Sequence, residues 1–178
     1  MKSLFDFKPV EQESNIVFPK DIVQFQCEEL GKLTGQLIVG KIKEYDSPIS
    51  DYKTQGMSAS LAHTLEAITQ PRDVKIQSKL GEQSNSEFTY EFFITSKYMP
   101  NFMYRVFFIR YGISLYPLRM VLDETIAKQI DIDFDIKIGT EEEFIEILSM
   151  ILNCEKFKQV ISNLYVINAK LSEKVDEE

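Results

Sequence analysis

Residues 88–122 constrain the fold more than any other stretch of this chain. They read FTYEFFITSKYMPNFMYRVFFIRYGISLYPLRMVL. Aromatic, β-branched and long apolar side chains dominate the run, and such residues fit the pleated surface of a sheet. Phe88, Tyr90, Phe92 and Ile94 alternate with Thr89, Glu91, Phe93 and Thr95, which is the period of a strand. Ser96–Asn101 reads as a loop. Phe102–Arg110 is bulky on both faces, with Arg105 its one charge before the end, and this predicts a central strand covered on both sides. Tyr111-Gly112 predicts a tight antiparallel reversal, because glycine accepts positive φ. The returning strand is expected over Ile113–Leu122. Pro117 cannot donate to a ladder, so it marks a bulge, an edge or a break.

The flanking sequence predicts what surrounds this sheet. Pro19–Leu33 reads as a helix that starts with proline, which lacks only an N–H that would have no partner there. Ile22, Phe25, Leu30 and Leu33 form its expected apolar face, and Thr34-Gly35 its end. Leu37–Tyr45 reads as a strand, with Gly40 marking a bulge or a close approach by the preceding helix. The competing reading continues the helix to Tyr45. A short helix is expected from Ser58 or Ser60 to Ile68, and an edge strand over Val74–Leu80. Glu124–Gln129 is expected to form a helical turn. Ile130–Ile138 alternates strictly, as a strand with one wet face or an extended connection. Thr140 and Glu143 match a capping box. Phe144, Ile147, Leu148 and Ile151 make the stripe that follows, and Asn153 marks a break. A second helix carries Phe157, Val160, Ile161 and Leu164 to about Ile167. The fold class that follows is α+β: an antiparallel meander of about four to five strands, covered by an N-terminal helix and a C-terminal helix pair. Residues 1–178 are expected to be a single domain, with a flexible arm (1–17) and a frayed tail (171–178).

Composition bears on function mainly by exclusion. The formal net charge of −8 repels phosphate backbones and anionic lipid, which argues against nucleic-acid and membrane partners. Cys27 and Cys154 each sit in an apolar helical pattern and read as buried thiols. With no signal-peptide run and no membrane-length apolar segment, the expected location is cytoplasmic. No phosphate-binding glycine loop, nucleophile elbow or paired-cysteine zinc spacing is present in the sequence. Asp131, Asp133 and Asp135 share one face if 130–138 is a strand, but Ile136 stands where an EF-hand loop needs glycine. No cofactor or metal is expected.

The reading that results is a non-enzymatic protein-binding domain of interaction, regulatory or immunity type, in a chain whose Lys, Ile and Glu content suggests a bacterial source. Its partner is another protein or a second copy, with the Val74–Leu80 edge as one route to a homodimer. Tyr98, Arg105 and Tyr116 are the expected interaction rim, since tyrosine offers apolar area with a polar tip. Two alternatives stand beside it. One is a small-molecule site lined by Phe92, Phe93, Tyr98, Tyr104, Phe107 and Tyr116. The other is an unrecognised hydrolase or transferase that uses His63 or Cys154.

Overall fold

The computed structural model describes residues 17–46 and 87–175. Residues 1–16 of the expected arm, the short helix and edge strand expected at 58–80, and His63 lie outside these. Within them the element order is α1 (Pro19–Leu33), β1 (Ile38–Glu44), β2 (Phe88–Ser96), β3 (Met103–Tyr111), β4 (Leu118–Leu122), α2 (Glu124–Gln129), β5 (Asp135–Ile138), α3 (Glu141–Asn153) and α4 (Glu155–Val175). The strands form one sheet in the order β1-β2-β3-β4-β5. Every neighbouring pair is antiparallel. The α+β meander expected from the pattern is therefore the observed architecture.

The sheet has two distinct faces because side chains alternate along each strand. The inner face carries Ile38, Tyr90, Phe92, Ile94, Phe107, Ile109, Tyr111, Leu118, Met120 and Ile138, all buried in one continuous cluster with helix residues Val23, Ile126, Phe144, Ile151, Phe157 and Leu164. A bulge between Phe92 and Phe93 leaves Val106 as an extra residue on β3. It allows the consecutive residues Val106 and Phe107 both to join the inner cluster. On the opposite face Phe108 and Val121 are buried with Tyr45 packed on them. β3 is thus covered on both sides, as its bulky pattern predicted.

The face by which α1 packs differs from the expected one. Pro19, Val23, Cys27 and Gly31 are buried. Phe25 and Leu33, which the apolar periodicity assigned to the core, are 56% and 83% exposed. The reason lies in β1. A Cβ on Gly40 would stand 3.0 Å from Cys27 Sγ and 3.1 Å from Cys27 Cα. A helix seated that close presents small side chains directly to the strand, so of the expected face Ile22 and Leu30 pack half-buried against the core while Phe25 and Leu33 turn outward. Gly40 is the close approach suggested by the sequence. Gly35 and Gln36 reverse the chain in the left-handed region (φ 58° and 63°). Across that turn the buried Thr34 hydroxyl lies 2.9 Å from the carbonyls of both Leu30 and Ile38, and accepts from the Ile38 N–H at 3.3 Å.

Three other boundaries moved. The reversal after β3 is a loop of residues 112–117. Its positive φ falls on Leu115 (65°) and not on glycine, and Pro117 precedes β4 instead of interrupting it. The alternating stretch 130–138 is a strand only from Asp135, because Ile130 ends α2 and Asp131 adopts φ 56°. The last helix runs to Val175, through the region expected to fray from 171. A buried polar anchor lies on that extension: Asn168 Oδ1 accepts from Ser96 Oγ (2.9 Å) and the Tyr98 N–H (3.2 Å), while its amide donates to the Leu164 carbonyl (2.7 Å). At α3 the Thr140 hydroxyl caps the Glu143 N–H at 3.2 Å, and Glu143 reaches back to the Gly139 N–H at 2.7 Å.

The α1–β1 contact makes a prediction. Gly40→Ala places a methyl against the backbone of Cys27 and should lower unfolding free energy by about 1–3 kcal/mol in urea titrations. Gly112→Ala, whose added Cβ meets nothing within 4 Å, should change it by less than about 0.5 kcal/mol.

Candidate functional site

The structure does not gather the expected rim residues. Tyr98 follows β2, and Tyr116 lies in the loop after β3, so the two sit at opposite ends of β3. Tyr98 is half-buried, with the Lys97 ammonium 5.1 Å from its ring centre. Arg105 lies on the outer sheet face. Its Nε donates to Glu91 Oε2 at 2.6 Å, and its guanidinium stands 5.8 Å from the Phe108 ring centre. Tyr116 has a buried hydroxyl without a hydrogen-bond partner among the described residues, and burial, followed by Glu141 and Glu142, pushes its pKa to about 12. The aromatics proposed as pocket liners are also divided. Phe92 and Phe107 fill the core with ring centres 4.9 Å apart, whereas Phe93 is buried on the outer face.

The thiols and the aspartates can be placed as well. Burial, with Glu28 adding to it, raises the Cys27 pKa from 9.0 to about 12, so this thiol is neutral at pH 7 and a poor nucleophile. Cys154 is buried, and its sulfur accepts the Phe157 N–H at 3.4 Å at the start of α4. Asp131, Asp133 and Asp135 do not share a strand face, since only Asp135 is in β5. Among the described residues no cluster of three or more His, Cys, Asp or Glu side chains could hold a metal ion. No helix among them is long and apolar enough to cross a membrane.

Two surface features remain. The first is a charged row on the outer face. Arg110 pairs in register with Arg119, and Arg119 with Lys137, so three cations stand side by side across β3, β4 and β5. Like charges in directly opposed positions destabilise a sheet. Asp135 grips Arg119 through two hydrogen bonds, Nε to Oδ1 at 2.7 Å and Nη2 to Oδ2 at 2.6 Å. This pairing raises the Arg119 pKa above its usual value. Glu87 Oε2 lies 3.0 Å from Arg110 Nε, as an ionic contact off the hydrogen-bonding angle. These residues border a cleft of about 480 Å³ whose walls include Tyr111, Pro117, Leu118 and Ile136.

The second feature is a ridge on α1. Phe25 and Leu33 lie on the side away from Val23 and Cys27, with Phe18 exposed at the N-cap, while Ile22 between them packs half-buried against the core. Phe18 (44%), Phe25 and Leu33 are open to solvent. Sequence reading missed both features for different reasons. The ridge has the periodicity of a core stripe, and pattern alone cannot say which of two stripes faces the sheet. The charged row comes from three separate strands and needs their register. Among known proteins the chain matches no family model, no curated protein and no solved structure.

Two outcomes test this account. Arg105→Met strands Glu91, whose side chain is only 12% exposed, and should cost about 1–3 kcal/mol in chemical denaturation, while the Arg105→Met/Glu91→Leu pair recovers most of the loss. Alkaline stability tests the buried acids. The neutral thiol of Cys27 and the phenols of Tyr104 and Tyr116 have folded pKa values near 12, above their ordinary 9.0 and 10.0. The unfolded chain therefore releases these protons first, and stability present below pH 9 is lost as pH rises toward 12. Urea midpoints between pH 7 and 10.5 should fall above pH 9, and Cys27→Ala should delay the fall until the tyrosines ionise.

Proposed function

We infer that the protein acts by binding another protein, in an interaction, regulatory or immunity-type role, and not by catalysis. The α1 ridge is the observation that supports this reading. A helix in a folded domain ordinarily buries its large apolar side chains, and α1 leaves Phe25 and Leu33 mostly in water. Phe25 and Leu33 lie about two turns apart on one side of α1, with Phe18 exposed at its N-cap, and apolar anchors spaced along a helix suit an apolar groove. Polar neighbours flank them: Gln24 donates to Glu28 at 3.2 Å, and Lys32 pairs with Glu29 at 2.7 Å. An apolar centre with a polar margin is the usual layout of a protein interface. The partner that fits is a protein with an apolar groove, which includes a second copy of this chain.

A photo-crosslinking amino acid in place of Phe25 tests the reading. The expected result is one discrete cross-linked protein species, lost when Phe18 and Leu33 are replaced by serine. Those serine substitutions should change stability by less than about 0.5 kcal/mol each, because the side chains contribute little to the core. Unreduced cross-linking in the serine variant, or a fall in stability of core-mutation size, would overturn the assignment.

A further inference from the structure

We propose that the cleft between the ends of β3, β4 and β5 is a binding site for a small organic carboxylate. Arg110, Arg119 and Lys137 stand in register although like charges opposed across strands repel. Two carboxylates, Glu87 and Asp135, hold the two arginines. Lys137 has no carboxylate within 4.0 Å among the described residues, and its side chain is exposed. The charged groups described around the cleft therefore sum to one positive charge, in a chain whose total is −8. An excess of one charge suits a monoanion.

The geometry of the donors favours a carboxylate. Asp135 occupies Nε and one N–H of Nη2 on Arg119. A guanidinium has five N–H groups, so three remain beside the Lys137 ammonium. Asp135 also fixes the plane of the guanidinium before any ligand arrives, which lowers the entropy lost on binding. Pro117 and the half-buried Ile136 add apolar surface to the same cleft, whereas the Tyr111 and Leu118 side chains turn into the inner core. Its volume of about 480 Å³ accommodates a small molecule with an apolar body and one anionic end. In this site Lys137 and the outer N–H groups of Arg119 hold the carboxylate, Arg110 adds charge, and the apolar wall covers the body.

Benzoate is the probe, with benzamide as its neutral isostere and phenyl phosphate as its dianionic analogue. Titration of the full chain, followed by amide NMR shifts, should show saturable benzoate binding centred on Gly112, Arg119 and Lys137. Benzamide should bind at least tenfold more weakly. Lys137→Met should weaken benzoate binding about tenfold, as expected for one charge-assisted contact, and Lys137→Arg should restore most of it. The same titration in 0.5 M salt should weaken the interaction. Equal affinity for benzoate and benzamide, shifts that do not saturate, tighter binding of phenyl phosphate, or a Lys137→Met variant that binds like the parent would each overturn the proposal. Lys137 is exposed and lies on the outer face, so a folded Lys137→Met protein is expected and its unchanged unfolding midpoint is the control.

Discussion

Phe92 and Phe107 meet across β2 and β3 with ring centres 4.9 Å apart, and the inner core closes around that pair. Each is about 1% exposed. Burying a side chain of this size is worth roughly 1.5–3 kcal/mol, and the contact between rings adds to it. An antiparallel sheet with such a face cannot leave it in water. Val23 from α1, Ile126 from α2, Phe144 from α3 and Leu164 from α4 all belong to the same cluster, so each helix contributes to the cover. The β-bulge beside Phe92 serves the same packing, since it lets β3 turn two consecutive residues inward.

The outer face obeys different rules. Its apolar patch, Phe93, Phe108 and Val121, lies among charged neighbours. Lys43 lies 5.6 Å from the Phe93 ring centre, and Arg105 pairs with Glu91 while lying over Phe108. Long cationic side chains can lay their stems on such a patch and keep their heads in water. The arrangement also sets charges in cross-strand rows, and at one end of the sheet that row is Arg110, Arg119 and Lys137. The candidate anion site is thus a by-product of register: the residues that flank the patch fall opposite one another because the strands pair as they do.

The α1 ridge has a similar origin. Gly40 removes a side chain from β1, Cys27 fills the space, and the helix comes close enough that only Pro19, Val23, Cys27 and Gly31 can lie beneath it. Of the larger residues, Ile22 and Leu30 pack half-buried at the flanks, and Phe25 and Leu33 face outward. Close packing at one side of the helix and apolar exposure at the other are therefore two consequences of the same contact.

Much of this fold was legible in the chain. The strands at 88–96 and 103–111 follow from alternation and bulk, the helix bounds at Pro19 and Leu33 from proline and the Thr34-Gly35 stop, and the α3 start from Thr140 and Glu143. These signals act within a few residues, so the sequence carries them directly. The strand at 130–138 shrank to four residues because α2 ends at Ile130 and Asp131 takes a left-handed turn, which alternation does not encode. The rim residues Tyr98, Arg105 and Tyr116 are near one another in sequence, but Tyr98 and Tyr116 sit at opposite ends of β3 and Arg105 within it. The outward turn of Phe25 and Leu33, and the meeting of Arg110, Arg119 and Lys137, depend on distances between elements. The sequence by itself determined which segments become strands and helices, through periodicity and caps. Only the tertiary structure decided which face of α1 is buried and which charges become neighbours, because both are set by the spacing of α1 over Gly40 and by the strand register.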